Sequence, residues 1–84
     1  GSVELETAGG DVTIRIPSNL SVSIDAEIRI SRRSRGDYRI YSDFPMTTSE
    51  EDRRIIGRGD INGGGDRITL ETSNSDIHII SVTN

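Results

Sequence analysis

A ten-residue unit written twice constrains this chain more than any other feature. Leu5-Glu6-Thr7-Ala8-Gly9-Gly10-Asp11-Val12-Thr13-Ile14 returns 65 positions later as Leu70-Glu71-Thr72-Ser73-Asn74-Ser75-Asp76-Ile77-His78-Ile79. The Leu, Glu, Thr, Asp and final Ile are identical, and most other positions exchange small for small or β-branched for β-branched. Each copy reads as two strand-like pieces around a small-residue turn that ends in Asp. Such a unit cannot bury its apolar face alone, so its repetition points to stacked β architecture. It speaks to architecture and hardly at all to activity.

Period-two alternation runs through nearly the whole chain. Val3, Leu5 and Thr7 alternate with Glu4 and Glu6, and Val12, Ile14 and Ile16 with Asp11, Thr13 and Arg15. The longest run, Leu20 to Ile30, places Val22, Ile24, Ala26 and Ile28 on one face and Ser23, Asp25, Glu27 and Arg29 on the other. Ile68, Leu70 and Thr72, then Ile77 and Ile79, continue the pattern. This is half-buried strand patterning rich in β-branched residues. The long run is expected to bend or change partner near Ala26.

Turn signals separate the runs: Gly9-Gly10-Asp11, Pro17-Ser18-Asn19, Gly36-Asp37, Gly57-Arg58-Gly59-Asp60, Asn62-Gly63-Gly64-Gly65-Asp66 and Ser73-Asn74-Ser75-Asp76. Gly and Asn adopt positive φ cheaply, and Asp bonds back to nearby backbone N–H groups. A small residue, Asp and a hydrophobic recur at Gly10-Asp11-Val12, Gly36-Asp37-Tyr38, Gly59-Asp60-Ile61 and Ser75-Asp76-Ile77. Their uneven spacing suits rungs joined by loops of different length. Residues 48–54 are the one helical candidate, because Thr48 or Ser49 precedes Glu50-Glu51-Asp52 as a helix N-terminus prefers. A single turn or a loop fits the same residues.

The expected fold is all-β, with short strands stacked in a β-solenoid or β-roll; a small β-sandwich is the alternative. Residues 3–84 read as one repetitive domain, and Gly1-Ser2 as a cloning remnant on a piece of a longer protein. Only 31% of the 84 residues are hydrophobic, so the interior is thin. Ile supplies 13 of those 26 residues, and each inward Ile matters. A terminal strand is expected to leave an open edge suited to edge-to-edge self-association.

Composition removes several classes of chemistry. All ten basic residues are Arg. Without Lys there is no P-loop lysine, Schiff base or Ser–Lys dyad. Without Cys there is no disulfide or thiolate metal site. A net charge of −4 disfavours nucleic acid and anionic membrane surfaces. No apolar run reaches the ~20 residues of a membrane-spanning helix.

The remaining motifs have modest readings. Arg-Gly-Asp occurs at Arg35-Gly36-Asp37 and at Arg58-Gly59-Asp60, a cell-attachment tripeptide if an exposed turn presents it. The repeated Gly-Asp turn accounts for both copies without any receptor. Arg32-Arg33-Ser34-Arg35 reads as a solvated loop facing Glu50, Glu51 and Asp52. Asn62-Gly63-Gly64-Gly65-Asp66 is a turn, with too few oxygen ligands for calcium. The sole histidine, His78, shares a strand face with Asp76 and reads as an exposed surface residue, there being no nucleophile elbow to serve. Tyr38 and Phe44 are expected inward. Tyr41 has the opposite parity and is a candidate contact residue. No catalytic, cofactor or metal ligand is assigned.

Several linked segments together resemble a known family. These are Gly10-Asp11-Val12-Thr13-Ile14-Arg15-Ile16-Pro17, Ser42-Asp43-Phe44-Pro45, Ile61-Asn62-Gly63-Gly64-Gly65 and the stretch from Ile68 to Ile77. In that order they resemble the bacterial putative-adhesin family, a domain-of-unknown-function family of repetitive β proteins. Ser75 departs from the family pattern, which tends to have Gly there. The resemblance implies a β-solenoid-like fold within a longer cell-envelope protein and no catalytic residues. The function expected is a non-enzymatic adhesin-like interaction module at the cell envelope or outside it, with a protein or glycan partner and no nucleic acid or direct membrane insertion. A structural or sensory stalk of an envelope-stress protein is the alternative, and a carbohydrate-active enzyme has the least support.

Overall fold

The computed structural model describes residues 3–8, 10–33 and 36–83. Among them are eight strands: β1 (Glu4–Ala8), β2 (Asp11–Pro17), β3 (Val22–Arg29), β4 (Ile40–Ser42), β5 (Thr47–Glu51), β6 (Arg54–Ile61), β7 (Asp66–Ser73) and β8 (Ile77–Val82). They form two open, mixed, four-stranded sheets ordered β1-β2-β8-β4 and β5-β6-β3-β7. The all-β expectation holds.

The period-two pattern makes the interior. Ile14, Ile16, Ile77 and Ile79 from the first sheet join Val22, Ile24, Ala26, Ile28, Ile55, Ile61 and Leu70 from the second in one buried cluster. The intervening residues of β3, Ser23, Asp25 and Glu27, face outward. Each buried Ile contributes roughly 1.5–3 kcal/mol of transfer free energy, so a short β-branched row suffices to hold the two sheets together. Tyr38 and Phe44 pack against this cluster as their parity requires.

The duplicated unit is only half symmetric in space. β2 and β8 run parallel in the register Val12↔Ile77, Thr13↔His78 and Ile14↔Ile79, so the second halves of the two copies lie side by side at their sequence offset. The first halves part. β7 joins the second sheet beside β3, whereas β1 folds back on β2 as an antiparallel hairpin. Leu70 is therefore 6% exposed, and its counterpart Leu5 is 62% exposed against the inward expectation. Arg15 Nη1 donates to Glu6 Oε2 at 2.7 Å across that hairpin. This hydrogen bond, helped by the Glu6 charge, raises the guanidinium pKa above its ordinary value.

Three local expectations are corrected. β3 does not bend or change partner: it pairs with β6 and β7 over its full length, because both neighbours offer a continuous ladder from Val22 to Arg29. Residues 48–54 are not helical. They form the β5–β6 hairpin, with Arg53 at φ 62. The unpaired edge of β6 supplies ladder partners that outweigh the capping pattern. Gly57-Arg58-Gly59-Asp60 is strand rather than turn. Its glycines answer a close approach: a Cβ on Gly57 would lie 2.9 Å from Ile40 Cδ1, and one on Gly59 would lie 2.8 Å from the Pro45 carbonyl oxygen.

Two stability outcomes follow. Ile79→Ala, at a site 1% exposed, is expected to cost about 2–5 kcal/mol, read as a lower urea midpoint with an unchanged slope. Gly59→Ala is expected to cost about 1–3 kcal/mol, because the backbone at Pro45 must retreat.

Candidate functional site

The outer face of the first sheet gathers polar groups from three chain segments, and its corners set them in place. A chain that changes sheets leaves backbone N–H groups without a ladder partner, and these need acceptors. Val12 N donates to the Asp76 carbonyl at 3.0 Å, and Ile77 N to the Arg39 carbonyl at 3.1 Å. Aspartate carboxylates take the next donors. Asp11 Oδ1 accepts from Asp76 N at 3.0 Å, and Asp76 Oδ1 accepts from Arg39 N at 2.8 Å. At the other end of this sheet, Asp43 Oδ2 accepts from Ser81 N at 2.9 Å. The turn aspartates therefore bind the neighbouring segment rather than their own turn. Hydrogen bonds to a charged acceptor are stronger than neutral ones, so the Asp ladder also fixes the orientation of its carboxylates.

Beside this ladder, Thr13, His78 and Tyr41 form a row across β2, β8 and β4. The Tyr41 and His78 rings stack with centroids 4.9 Å apart and planes 9° from parallel. Tyr41 is 47% exposed, as its parity predicts. His78 is half-buried rather than exposed, because Tyr41 covers one ring face. Potential donor atoms of Asp11, Asp76 and His78 lie within 4.8 Å of one another. Three protein ligands fall short of a structural zinc site and of the six or more oxygens of calcium. Both aspartates also give an oxygen to a backbone N–H. The 65-residue spacing could have brought Asp11 beside Asp76, and the i, i+2 relation His78 beside Asp76. The Tyr41 stack has no local signal.

The outer face of the second sheet carries the better-placed Arg-Gly-Asp, and its setting corrects the turn expectation. Arg58, Gly59 and Asp60 lie within β6, so Arg58 and Asp60 point outward and Gly59 points toward Pro45 and Met46. Arg58 Nε pairs with Asp25 Oδ1 at 2.9 Å, and Ser23 Oγ donates to Asp60 Oδ1 at 2.8 Å. The tripeptide is therefore extended and tied to β3. Arg67 Nη1 approaches the other Asp25 oxygen at 3.6 Å. Glu27, further along β3, takes Arg29 at 3.0 Å and Arg54 at 3.2 Å. These solvent-facing pairs are worth about 0–1 kcal/mol each, so they order the surface more than they stabilise it. A shallow groove of about 630 Å³ runs past Ser23, Asp25, Arg58 and Asp60 toward Met46 and Thr47. In the other tripeptide, Arg35 lies outside the described residues, while Gly36 and Asp37 are exposed in the connection between β3 and β4.

Comparison with protein-family models, curated proteins and solved structures finds no match to this chain.

The Asp ladder makes a stability prediction. Asp76→Ala leaves Arg39 N without its acceptor and is expected to cost about 1.5–3 kcal/mol. Asp66→Ala, at an exposed position of β7, is expected to stay within about 0.5 kcal/mol of the parent in the same denaturation experiment.

Proposed function

We propose that this domain is a non-enzymatic, adhesin-like interaction module that binds a protein or glycan through an exposed sheet face. The observation that carries this reading is the Tyr41–His78 stack beside Asp11 and Asp76. A rigid aromatic ring with its face open offers apolar area at low entropic cost, and adjacent carboxylates accept hydrogen bonds from hydroxyl or amide donors. That combination suits the flat face of a sugar ring or a planar peptide segment. The residues that resemble the bacterial adhesin family support the same reading, and with it a place in the cell envelope or outside the cell through a longer parent protein.

The solenoid-like fold is part of this proposal. β3 to β4 and β7 to β8 both step from the second sheet to the first, and β4 and β8 then pair in parallel. Stacked steps of this kind are rungs. Rung stacking, with edge strands at β1, β4, β5 and β7, also favours the second reading, a stalk segment that extends a larger envelope protein. Edge-to-edge self-association belongs to that reading.

An array of envelope glycans and matrix proteins tests the first reading with the whole chain. A ligand is expected to lose roughly two- to tenfold in affinity with Tyr41→Ala, at an unchanged melting temperature. The Asp37→Ala/Asp60→Ala pair is expected to leave binding intact. Equal binding by Tyr41→Ala and the parent would remove the aromatic face from the account.

A further inference from the structure

We propose that β1 has a second seat, on the free edge of β7, and that the domain exchanges one open strand edge for another as β1 moves between the two. The first support is register. β2 lies beside β8 with a constant offset of 65 residues from Val12↔Ile77 to Pro17↔Val82. Carried backward along the chain, the same offset sets Val3 beside Ile68, Leu5 beside Leu70 and Thr7 beside Thr72. Leu5 with Leu70 and Thr7 with Thr72 are identical positions of the repeated unit, and just before it Val3 meets β-branched Ile68. β7 pairs with β3 on one side, and on its other side Asp66–Ser73 has no strand partner among the described residues.

The second support is burial. In the hairpin seat Leu5 shares a face with Ile14, yet it is 62% exposed while Ile14 is 1% exposed. On β7, Leu5 would join the row of Leu70, which is 6% exposed. Moving a leucine from water into such a row is favourable. The third support is the corner. Asn74 turns β7 into β8 at φ +53, and the residue at the equivalent place before β2 is Gly9. Glycine takes that backbone conformation without a steric penalty, so the residues that precede β2 can repeat the β7–β8 corner. Because β2 already occupies the place beside β8, the same chain delivers β1 to the β7 edge. A strand from a second copy would bring its own β2 to an occupied position.

Charge opposes the move. The hairpin seat has the Arg15–Glu6 pair at 2.7 Å. On β7, Glu6 would lie beside Glu71, and like charges directly opposite on neighbouring strands repel. Exposed charge terms are small, and so is the gain from one leucine, so both seats are populated. The consequence is a choice of interaction edge. In the hairpin seat the two sheets end on β1 and on β7; in the second seat they end on β2 and on β1. Open edges are the sites at which extended segments of other chains add to a sheet.

The absence of cysteine makes disulfide trapping unambiguous. Glu4→Cys/Thr69→Cys reports the β7 seat and leaves Glu6, Arg15 and Glu71 in place. Thr7→Cys/Val12→Cys reports the hairpin, in which these two residues are register partners. Mild oxidation of the whole chain is expected to close both pairs within monomers. If only the hairpin pair closes, or if the thiols introduced for the β7 seat join only between molecules, the proposal is overturned. Hydrogen exchange of chains without cysteine provides a second reading. Leu5→Asp is harmless in the exposed hairpin position and penalised in the inward row. It is expected to speed exchange of the outward-edge amides of β7 by about twofold or more, the factor set by how much of the parent holds β1 in that seat, without changing those of β3. Equal β7 exchange in the two proteins would also overturn it.

Discussion

The parallel pairing of β2 with β8 is the contact on which the rest depends. Those strands are far apart in sequence, and their pairing brings the second halves of two copies of one unit into register. The Ile14–Ile79 alignment makes a continuous inward row from residues that neither copy could bury alone. The same register sets Asp11 at the N–H of Asp76 and Asp76 at the N–H of Arg39. Core and corner are thus built by one alignment. A slip of β2 by one residue would send Ile14 and Ile16 outward and leave the Asp carboxylates facing the wrong backbone groups.

The two outer faces differ because their strands bring different residues together. On the second sheet, acids on β3 are flanked by arginines on β6 and β7, and the charges are mostly paired across strands. On the first sheet the aspartates are turned toward backbone N–H groups, and an aromatic ring stands open beside them. The second face is a screened mosaic. The first combines apolar area with oriented acceptors, which is why the proposed recognition rests there.

Much of the fold was legible because the period-two pattern is strong and half of the hydrophobic residues are β-branched Ile. It marked Ile14, Ile16, Val22, Ile24, Ile28, Ile77 and Ile79 as inward, and all are buried. Glycine misled, because it serves both turns and close packing. Gly57 and Gly59 looked like a turn and instead admit Ile40, Met46 and Pro45 against β6. The helical cue at residues 48–54 failed because capping chemistry is local and weak, whereas an open edge on β6 offers five residues a ladder. The candidate site was half legible: Tyr41 was marked by parity, while its stacking on His78 was not.

By itself, the sequence determined the β class, which side chains face inward, and the kinship of the two units that sit side by side. Alternation encodes faces, and repetition encodes register, so these properties need no knowledge of partners. Only the tertiary structure decided which strand joins which sheet. Strand pairing is a competition among edges distant in sequence, and β1 and β7, so alike in residues, meet different competitors. β7 follows the loop that carries it across β3. β1 precedes β2 by two residues, a connection short enough for a hairpin. The same choice left Leu5 in water and Leu70 in the core, and it placed Arg58-Gly59-Asp60 in a strand instead of on a turn.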